Sequence, residues 1–300
     1  MKKAIVLYSG GLDSRLAVKI MLEQGFDVEA VYFSLPFGCN ACGVSGAFEY
    51  LKKLGVGVRI FDVSRGDLLK EYLEIIKNPR HGIGTGLNPC RDCKIWMFRK
   101  AKEYADSVGV ELLVTGEVLG QRPMSQVKNS MAIIDKRLGF EILRPLSAKV
   151  LSETSFEKSG LVNREKLYDF VGRGRKDQRE LAEKLGVDFV GSGGGCFLCE
   201  KVASAKVGVL FEHDFINEET LKLVTIGRHF FIDGFWFVVA RNGVECSVID
   251  SFESSIIGGK AVPSVYFSSE KGKEKALELQ KVYSSGVSEE DRKRFEEWKI

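Results

Sequence analysis

The chain opens on a short unbroken apolar run, residues 3–8 (KAIVLY), the pattern of a strand buried on both faces of a parallel sheet. After a Gly-Gly turn, Leu12, Leu16 and Ile20 recur at helical spacing with Ala17 and Met21 beside them. This predicts a helix with one face on the sheet, ended by Gly25. Val28–Ser34 reads as a second strand, 46–54 as a helix and Val58–Val63 as a third strand. Strand, helix, strand, helix, strand in this rhythm implies a parallel sheet with right-handed crossovers. The pattern continues with a helix over 67–77, a glycine-rich loop from His81 to Leu87 and a helix running from near Cys93 to 107. Strands follow at Leu112–Thr115 and 140–146. A sheet of about five parallel strands is expected.

Two helices are expected between 164 and 185, split by Gly172 and Gly174, and Gly191–Gly195 reads as a glycine stretch leading into Cys196. Beyond about residue 205 the period shortens. Val224–Ile226, Phe230–Ile232, Phe235–Ala240 and Cys246–Ile249 read as antiparallel strands, with Asp233-Gly234 and Asn242-Gly243 as turns and a helix near 271–284. The expected fold class is α/β: a Rossmann-like domain with a parallel sheet and flanking helices, plus a small C-terminal α+β domain. The expected divisions are a nucleotide-binding domain over 1–155, a helical connector carrying a Cys-x-x-Cys pair over 156–205, and the small domain over 206–300.

Composition narrows the class without naming the chemistry. At 44% hydrophobic and 28% charged residues the chain is an ordinary globular protein, and no apolar run approaches the roughly 18 residues of a membrane span. The two lysines before the first apolar run resemble the start of a signal peptide. That run is short and leads straight into glycines, so a buried strand and a cytoplasmic location without membrane attachment are expected. A net charge of +3 is too small to imply a nucleic acid partner. Only a local basic face would, and Gly172-Arg173-Gly174-Arg175-Lys176-Asp177-Gln178-Arg179 is the candidate, with a solvated helix start as the alternative. Of the 7 cysteines, all but Cys246 fall in Cys-x-x-Cys pairs: Cys39/Cys42, Cys90/Cys93 and Cys196/Cys199. In a cytosolic protein such pairs suggest metal, iron–sulfur or redox chemistry before structural disulfides.

The segment Ser9-Gly10-Gly11-Leu12-Asp13-Ser14 joins the first strand to the first helix. Glycines there let the main chain approach an anion with its N–H groups turned inward, and the helix aims its positive end at the same place. Ser9 and Ser14 supply hydroxyls, Asp13 a carboxylate for magnesium, and Arg15 further positive charge. Neither the Walker pattern nor the dinucleotide pattern G-x-G-x-x-G is present. The segment resembles the PP-loop of the ATP pyrophosphatase superfamily. That resemblance implies cleavage of ATP between its α- and β-phosphates, giving an adenylated intermediate and pyrophosphate, with Ser9, Gly10, Gly11, Leu12, Asp13, Ser14 and Arg15 at the nucleotide.

Asn88-Pro89-Cys90-Arg91-Asp92-Cys93 resembles the N-P-x-x-x-C segment of tRNA 2-thiouridine synthases, and Thr115-Gly116-Glu117 resembles the T-G segment beside the nucleotide in those enzymes. Thr115 through Gln126, Leu143 through Lys149, Gly172 through Lys176 and Gly193 through Cys196 extend the match to a thiouridylase-like group over roughly residues 1–240. What this implies is sulfur insertion, with tRNA uridine as the leading substrate: adenylation turns a carbonyl oxygen into a leaving group, and a sulfur nucleophile replaces it. The sulfur arrives either as a cysteine persulfide, from a persulfide carrier, or as sulfide on a four-iron, four-sulfur cluster. The resemblance puts the cluster on Cys90, Cys93 and Cys196, the cluster being slightly favoured. Cys93 is read as the start of a helix whose dipole favours its thiolate.

Other readings stay open. Cys199 can join Cys90, Cys93 and Cys196 in a four-thiolate zinc site. Cys39 and Cys42 follow the second strand and suit sulfur relay or a mutual pair, while Cys246 is read as core. His81 is a proton donor candidate; Arg144 and Lys149 contact phosphate or are surface residues; His213 and His229 are structural. Rival functions are thiolation of, or sulfur donation to, a small molecule or cofactor, and a metal-stabilised ATP-sensing RNA-binding module. Formation of a nucleobase nitrile is a weaker rival, because that family's denser late cysteine cluster is missing. The C-terminal strands suit RNA binding, a homodimer contact or a cap on the core.

Overall fold

A computed structural model describes residues 2–38, 44–188 and 195–300. They fall into two compact units, Met1–Phe197 and Leu198–Ile300. Among the described residues, no helix is long and apolar enough to cross a membrane.

The first unit is built on a parallel sheet in the order β3-β2-β1-β4, formed by β1 (Lys3–Leu7), β2 (Asp27–Ser34), β3 (Gly57–Asp62) and β4 (Leu113–Thr115). The helices between them are α1 (Leu12–Glu23), α2 (Val44–Lys53), α3 (Gly66–Lys77) and α4 (Cys90–Ser107). The central strand β1 is apolar from Ala4 to Leu7, as a strand covered on both faces must be. The fifth expected strand, over 140–146, is reduced to one parallel bridge, Val114 to Leu143. Pro145 interrupts it, since proline offers no N–H to a ladder. After β4 come α5 (Lys128–Leu138), a single-turn α6 (Ser155–Lys158) capped by Thr154 and Glu157, and α7 (Lys176–Leu185). The first of the two helices expected between 164 and 185 is only a 3-10 turn, Arg164–Lys166.

Much of the stretch expected as a connector over 156–205 lies in the first unit, which runs to Phe197. Val162, Leu167, Leu181, Ala182 and Val187 pack in one apolar cluster with Leu12, Leu16 and Val114. At roughly 25 cal/mol per Å² of apolar surface withdrawn from water, this shared cluster holds α7 to the sheet.

The second unit carries an antiparallel sheet in the order β5-β6-β8-β7, from β5 (Arg228–Ile232), β6 (Phe235–Val239), β7 (Ser255–Ile256) and β8 (Val265–Phe267). Its helices are α8 (Lys201–Glu212), α9 (Gly243–Ile249), α10 (Lys273–Val282) and α11 (Glu289–Lys293). Two segments expected as strands take other forms. Val224–Ile226 lies in a turn. Cys246–Ile249 is helical because Asn242 caps α9: its side chain accepts the Glu245 N–H at 3.1 Å. The Asp233-Gly234 turn does form, both residues having positive φ as a tight hairpin requires.

Candidate functional site

In a parallel α/β sheet the loops after the strands gather at one edge. Two such segments, Ser9–Gly11 after β1 and Gly116 after β4, meet here with the start of α4, which runs back to feed β4.

The first loop is tight because its residues brace one another. Gly10 has φ +78°, and a Cβ there would come within 2.5 Å of the Ala47 Cβ. Gly11 stands at the N-cap of α1 and brings no side chain to its N–H groups. Ser14 Oγ donates to the Gly11 carbonyl at 2.9 Å and lies 3.4 Å from Ser9 Oγ. The opening amides of α1 and two hydroxyls therefore surround a place suited to an anion. Gly116 fits against the same turn: a Cβ there would lie 2.4 Å from the Asp13 carbonyl oxygen.

Arg15 does a different job from the one expected. It is buried, and its guanidinium donates to the carbonyls of Gly10 (2.8 Å), Gly46 (3.0 Å) and Asp188 (2.6 Å) while lying over the Tyr50 ring. Its charge braces the back of the loop. The arginines near Asp13 are Arg175, whose Nη2 is 4.0 Å from Asp13 Oδ2, and Arg122.

Asp13 is the polarised group of the loop. Burial raises its carboxyl pKa above the ordinary 3.8, against the opposing pull of Gln121, Arg175 and Arg122. Gln121 Nε2 donates to Oδ2 at 2.6 Å. Oδ1 is buried and, among the described residues, has no hydrogen-bond partner.

The thiols stand close by. α4 begins at Cys90 and not at Cys93, because Pro89 suits the helix entry, so Cys93 is the fourth helical residue. Asn88, which is buried, donates from Nδ2 to Cys90 Sγ at 3.3 Å. Burial pushes the Cys93 thiol up to about 12, Cys196 and Cys90 add to this and Lys94 opposes it. The helix start therefore does not make Cys93 a thiolate. Cys196 reaches this neighbourhood through Phe197, whose N–H donates to the Phe37 carbonyl at 3.0 Å and whose ring stacks on Phe37. Phe37 packs on Tyr72, and Tyr72 on Trp96 of α4.

Cys199 belongs to the second unit. Cys39 and Cys42, with Gly193 and Gly194, lie outside the described residues. Among the described residues, no three His, Cys, Asp or Glu side chains come together to hold a metal ion. The donor chemistry of the three thiols suits an iron–sulfur cluster or zinc, and Cys90 and Cys196 both lie within electrostatic reach of Cys93.

One bridge ties the thiols to the Ser9–Ser14 loop. Lys94, next to Cys93, pairs with Glu117 at 3.3 Å, and Glu117 follows the Gly116 that packs on Asp13. Glu117 is 2% exposed and also pairs with Arg144 at 3.1 Å; Arg144 in turn grips Asp135 at 2.7 Å. Burial pushes the Glu117 carboxyl up, but Lys94 and Arg144 outweigh it and hold it below its ordinary 4.5. Arg144 is thus part of the frame. Arg144→Ala leaves a buried carboxylate with one partner and should cost about 3–5 kcal/mol of unfolding free energy. The folded pKa being the lower one, Glu117 stabilises fully above pH 4.5 and loses this as pH falls through its folded pKa. The loss from Arg144→Ala, read by denaturant unfolding, should accordingly shrink in acid.

His81 pairs with Asp92 through Nδ1 at 2.6 Å, and Arg91 donates to the His81 carbonyl at 2.9 Å, which ties the glycine-rich loop to α4. Lys149 turns outward to the Glu165 carbonyl. His229 is a core residue, accepting from Trp236 Nε1 at 3.0 Å, and burial drives its pKa down to about 3. Cys246 is half-buried in α9, 3.5 Å from the Ser264 N–H.

The chain resembles known proteins over its first half. The chain is 31% identical over 150 residues to a tRNA sulfurtransferase of Psychromonas ingrahamii, covering 49% of this chain and 29% of that protein. It is 32% identical over 143 residues to a tRNA sulfurtransferase of Yersinia pestis, covering 47% and 28%. The chain thus spans under a third of the length of these curated relatives. Among solved structures, a 4-thiouridine synthetase–RNA complex with bound ATP is matched at TM-score 0.39 and 22% identity, over 62% of this chain and 52% of that one. The family model described as Thiamine biosynthesis protein (ThiI) matches residues 1–152, the span from the first strand through the Ser9–Ser14 loop, the Cys90/Cys93 helix and the Glu117–Arg144 frame. The chain belongs to the ThiI family.

Proposed function

We propose that the first unit uses ATP to adenylate a uridine carbonyl of tRNA and that sulfur then replaces the activated oxygen. The observation that carries this reading is the bridge from Cys93 and Lys94 through Glu117 and Gly116 to Asp13, which joins a nucleotide loop to a thiol neighbourhood. Support comes also from the relatives named tRNA sulfurtransferase.

The first half-reaction needs an anion cradle and a way to bear charge. The α1 amides, Ser9 and Ser14 hold phosphate oxygens, and the arginines near Asp13 add positive charge. The base carbonyl oxygen attacks the α-phosphorus, the α–β bond breaks and pyrophosphate leaves. Asp13, whose Oδ1 has no partner among the described residues, would hold a magnesium ion, and that ion would neutralise charge on the leaving group.

In the second half-reaction the thiols themselves carry sulfur. A persulfide-class donor passes its terminal sulfur to one cysteine and departs as a thiol. The cysteine persulfide attacks the adenylated carbon, and AMP leaves with the former carbonyl oxygen. A neighbouring thiol then attacks the cysteine sulfur, forming a protein disulfide and releasing the thiocarbonyl, and an external thiol reductant restores both thiols. Cys93 and Cys196, which influence each other electrostatically, are a pair able to do this. Arg173, Lys176 and Arg179 are exposed along one stretch and suit an RNA backbone.

Thionucleoside analysis of tRNA from a strain lacking the gene should show loss of a thiouridine that the intact gene restores. Unchanged thiouridine would remove tRNA as the substrate.

A further inference from the structure

We propose that Gln178 and Gln121 form a positioning relay that fixes which oxygen of Asp13 is offered to the nucleotide. It rests on the adenylation reading, in which Asp13 has a reacting partner.

A glutamine amide has a donating end and an accepting end, so its orientation is set by whatever it meets on both sides. Gln178 Nε2 donates to Gln121 Oε1 at 2.9 Å, and Gln121 Nε2 donates to Asp13 Oδ2 at 2.6 Å. The chain of bonds has one direction. If Gln121 turned over, its oxygen would face the carboxylate and its amino group would face the Gln178 amino group. Gln178, 1% exposed, thereby holds Gln121 in the orientation that occupies Oδ2 and leaves Oδ1 for an incoming group.

The backbone supports this alignment. Gly172 N–H donates to the Leu119 carbonyl at 2.7 Å, and Val171 bridges Leu119. Gln178 is the third residue of α7, whose Leu181 and Ala182 sit in the core with α1. The same segment brings Arg175 to 4.0 Å from Oδ2. The side chains of Arg173, Lys176 and Arg179 remain exposed while Gln178 is buried and Arg175 is partly so.

The test uses the full chain with Gln178→Glu and Gln178→Met beside wild type. Both keep a side chain of similar length; Met removes the donor, and Glu offers only acceptors when ionised and draws the Gln121 amide away from Asp13. The first readout needs no substrate: amide NMR of the Gln121 side chain, assigned by its loss in Gln121→Ala, should shift in both variants. The second is pyrophosphate release with ATP and unmodified tRNA, where kcat should fall about tenfold in Met and further in Glu, with KM for ATP within about twofold. An unmoved Gln121 resonance overturns the relay, as does a shifted resonance with wild-type kcat, which would mark a merely structural bond. A wild type that releases no pyrophosphate with tRNA removes the adenylation reading and leaves the amide resonance to decide the relay.

Discussion

Asp13→Asn is expected to abolish pyrophosphate release, lowering kcat by at least about a thousandfold, without weakening the fold. Asparagine keeps the shape and an oxygen for the Gln121 amide, so the relay's last bond survives. What disappears is the charge at Oδ1, the oxygen left without a partner among the described residues. The stability side has a definite sign. Because burial raises the folded pKa above 3.8, stability falls as pH climbs from that value through the folded pKa, and the ionised carboxylate remains a fixed cost above it. The neutral amide removes that cost. Thermal unfolding near neutral pH should therefore give a Tm equal to or above wild type. An inactive variant with a lowered Tm would point to a structural Asp13, and an active one would take it out of the chemistry altogether.

The same contrast explains what could be read from the chain. The strand, Gly-Gly turn and helix around Ser9–Ser14 are set by local spacing, and β1, α1 and β2 form where apolar period predicts. Arg15 sits inside the recognisable segment, yet nothing local says that its guanidinium turns away toward Gly46 and Asp188, residues brought there by the fold. Gln178 was hidden differently. It lies in a charged run that reads as a solvated helix start, and the tertiary placement of that run, not its own pattern, sets Gln178 against Gln121. Cys246 shows local chemistry misjudged: the apolar flanks resemble a strand, but Asn242 with Glu245 is a helix-start pair that outweighs them. Glu117 was within reach, since a carboxylate directly after Thr115-Gly116 must find cations once buried. Lys94 and Arg144, the cations it finds, come from separate elements.

Cys93→Ala and Cys196→Ala are expected to do what Asp13→Asn does not, stopping sulfur insertion completely while pyrophosphate release persists within about threefold of wild type. The loop proposed to bind and cleave ATP is framed by Gly10, Gly116, Arg15 and the Glu117–Arg144 pair, none of which rests on a thiol. An alanine in place of Cys93 leaves Lys94 and its bond to Glu117 in place. The two half-reactions should therefore separate: thionucleoside formation falls to background, and AMP and pyrophosphate continue to appear as the activated base is hydrolysed. Mass spectrometry of wild type treated with a persulfide donor should find one added sulfur, absent from the variant lacking the carrier cysteine. Anaerobic purification with iron and sulfide determination gives the opposing outcome. A stoichiometric cluster, lost in Cys90→Ala and in Cys196→Ala, would mean that the three thiols close around a metal centre and deliver sulfide from it. Zinc at stoichiometry would exclude both routes at these thiols. If pyrophosphate release were lost along with thiolation, the bridge through Lys94 and Glu117 would be a coupling element, and adenylation itself would depend on an intact thiol neighbourhood.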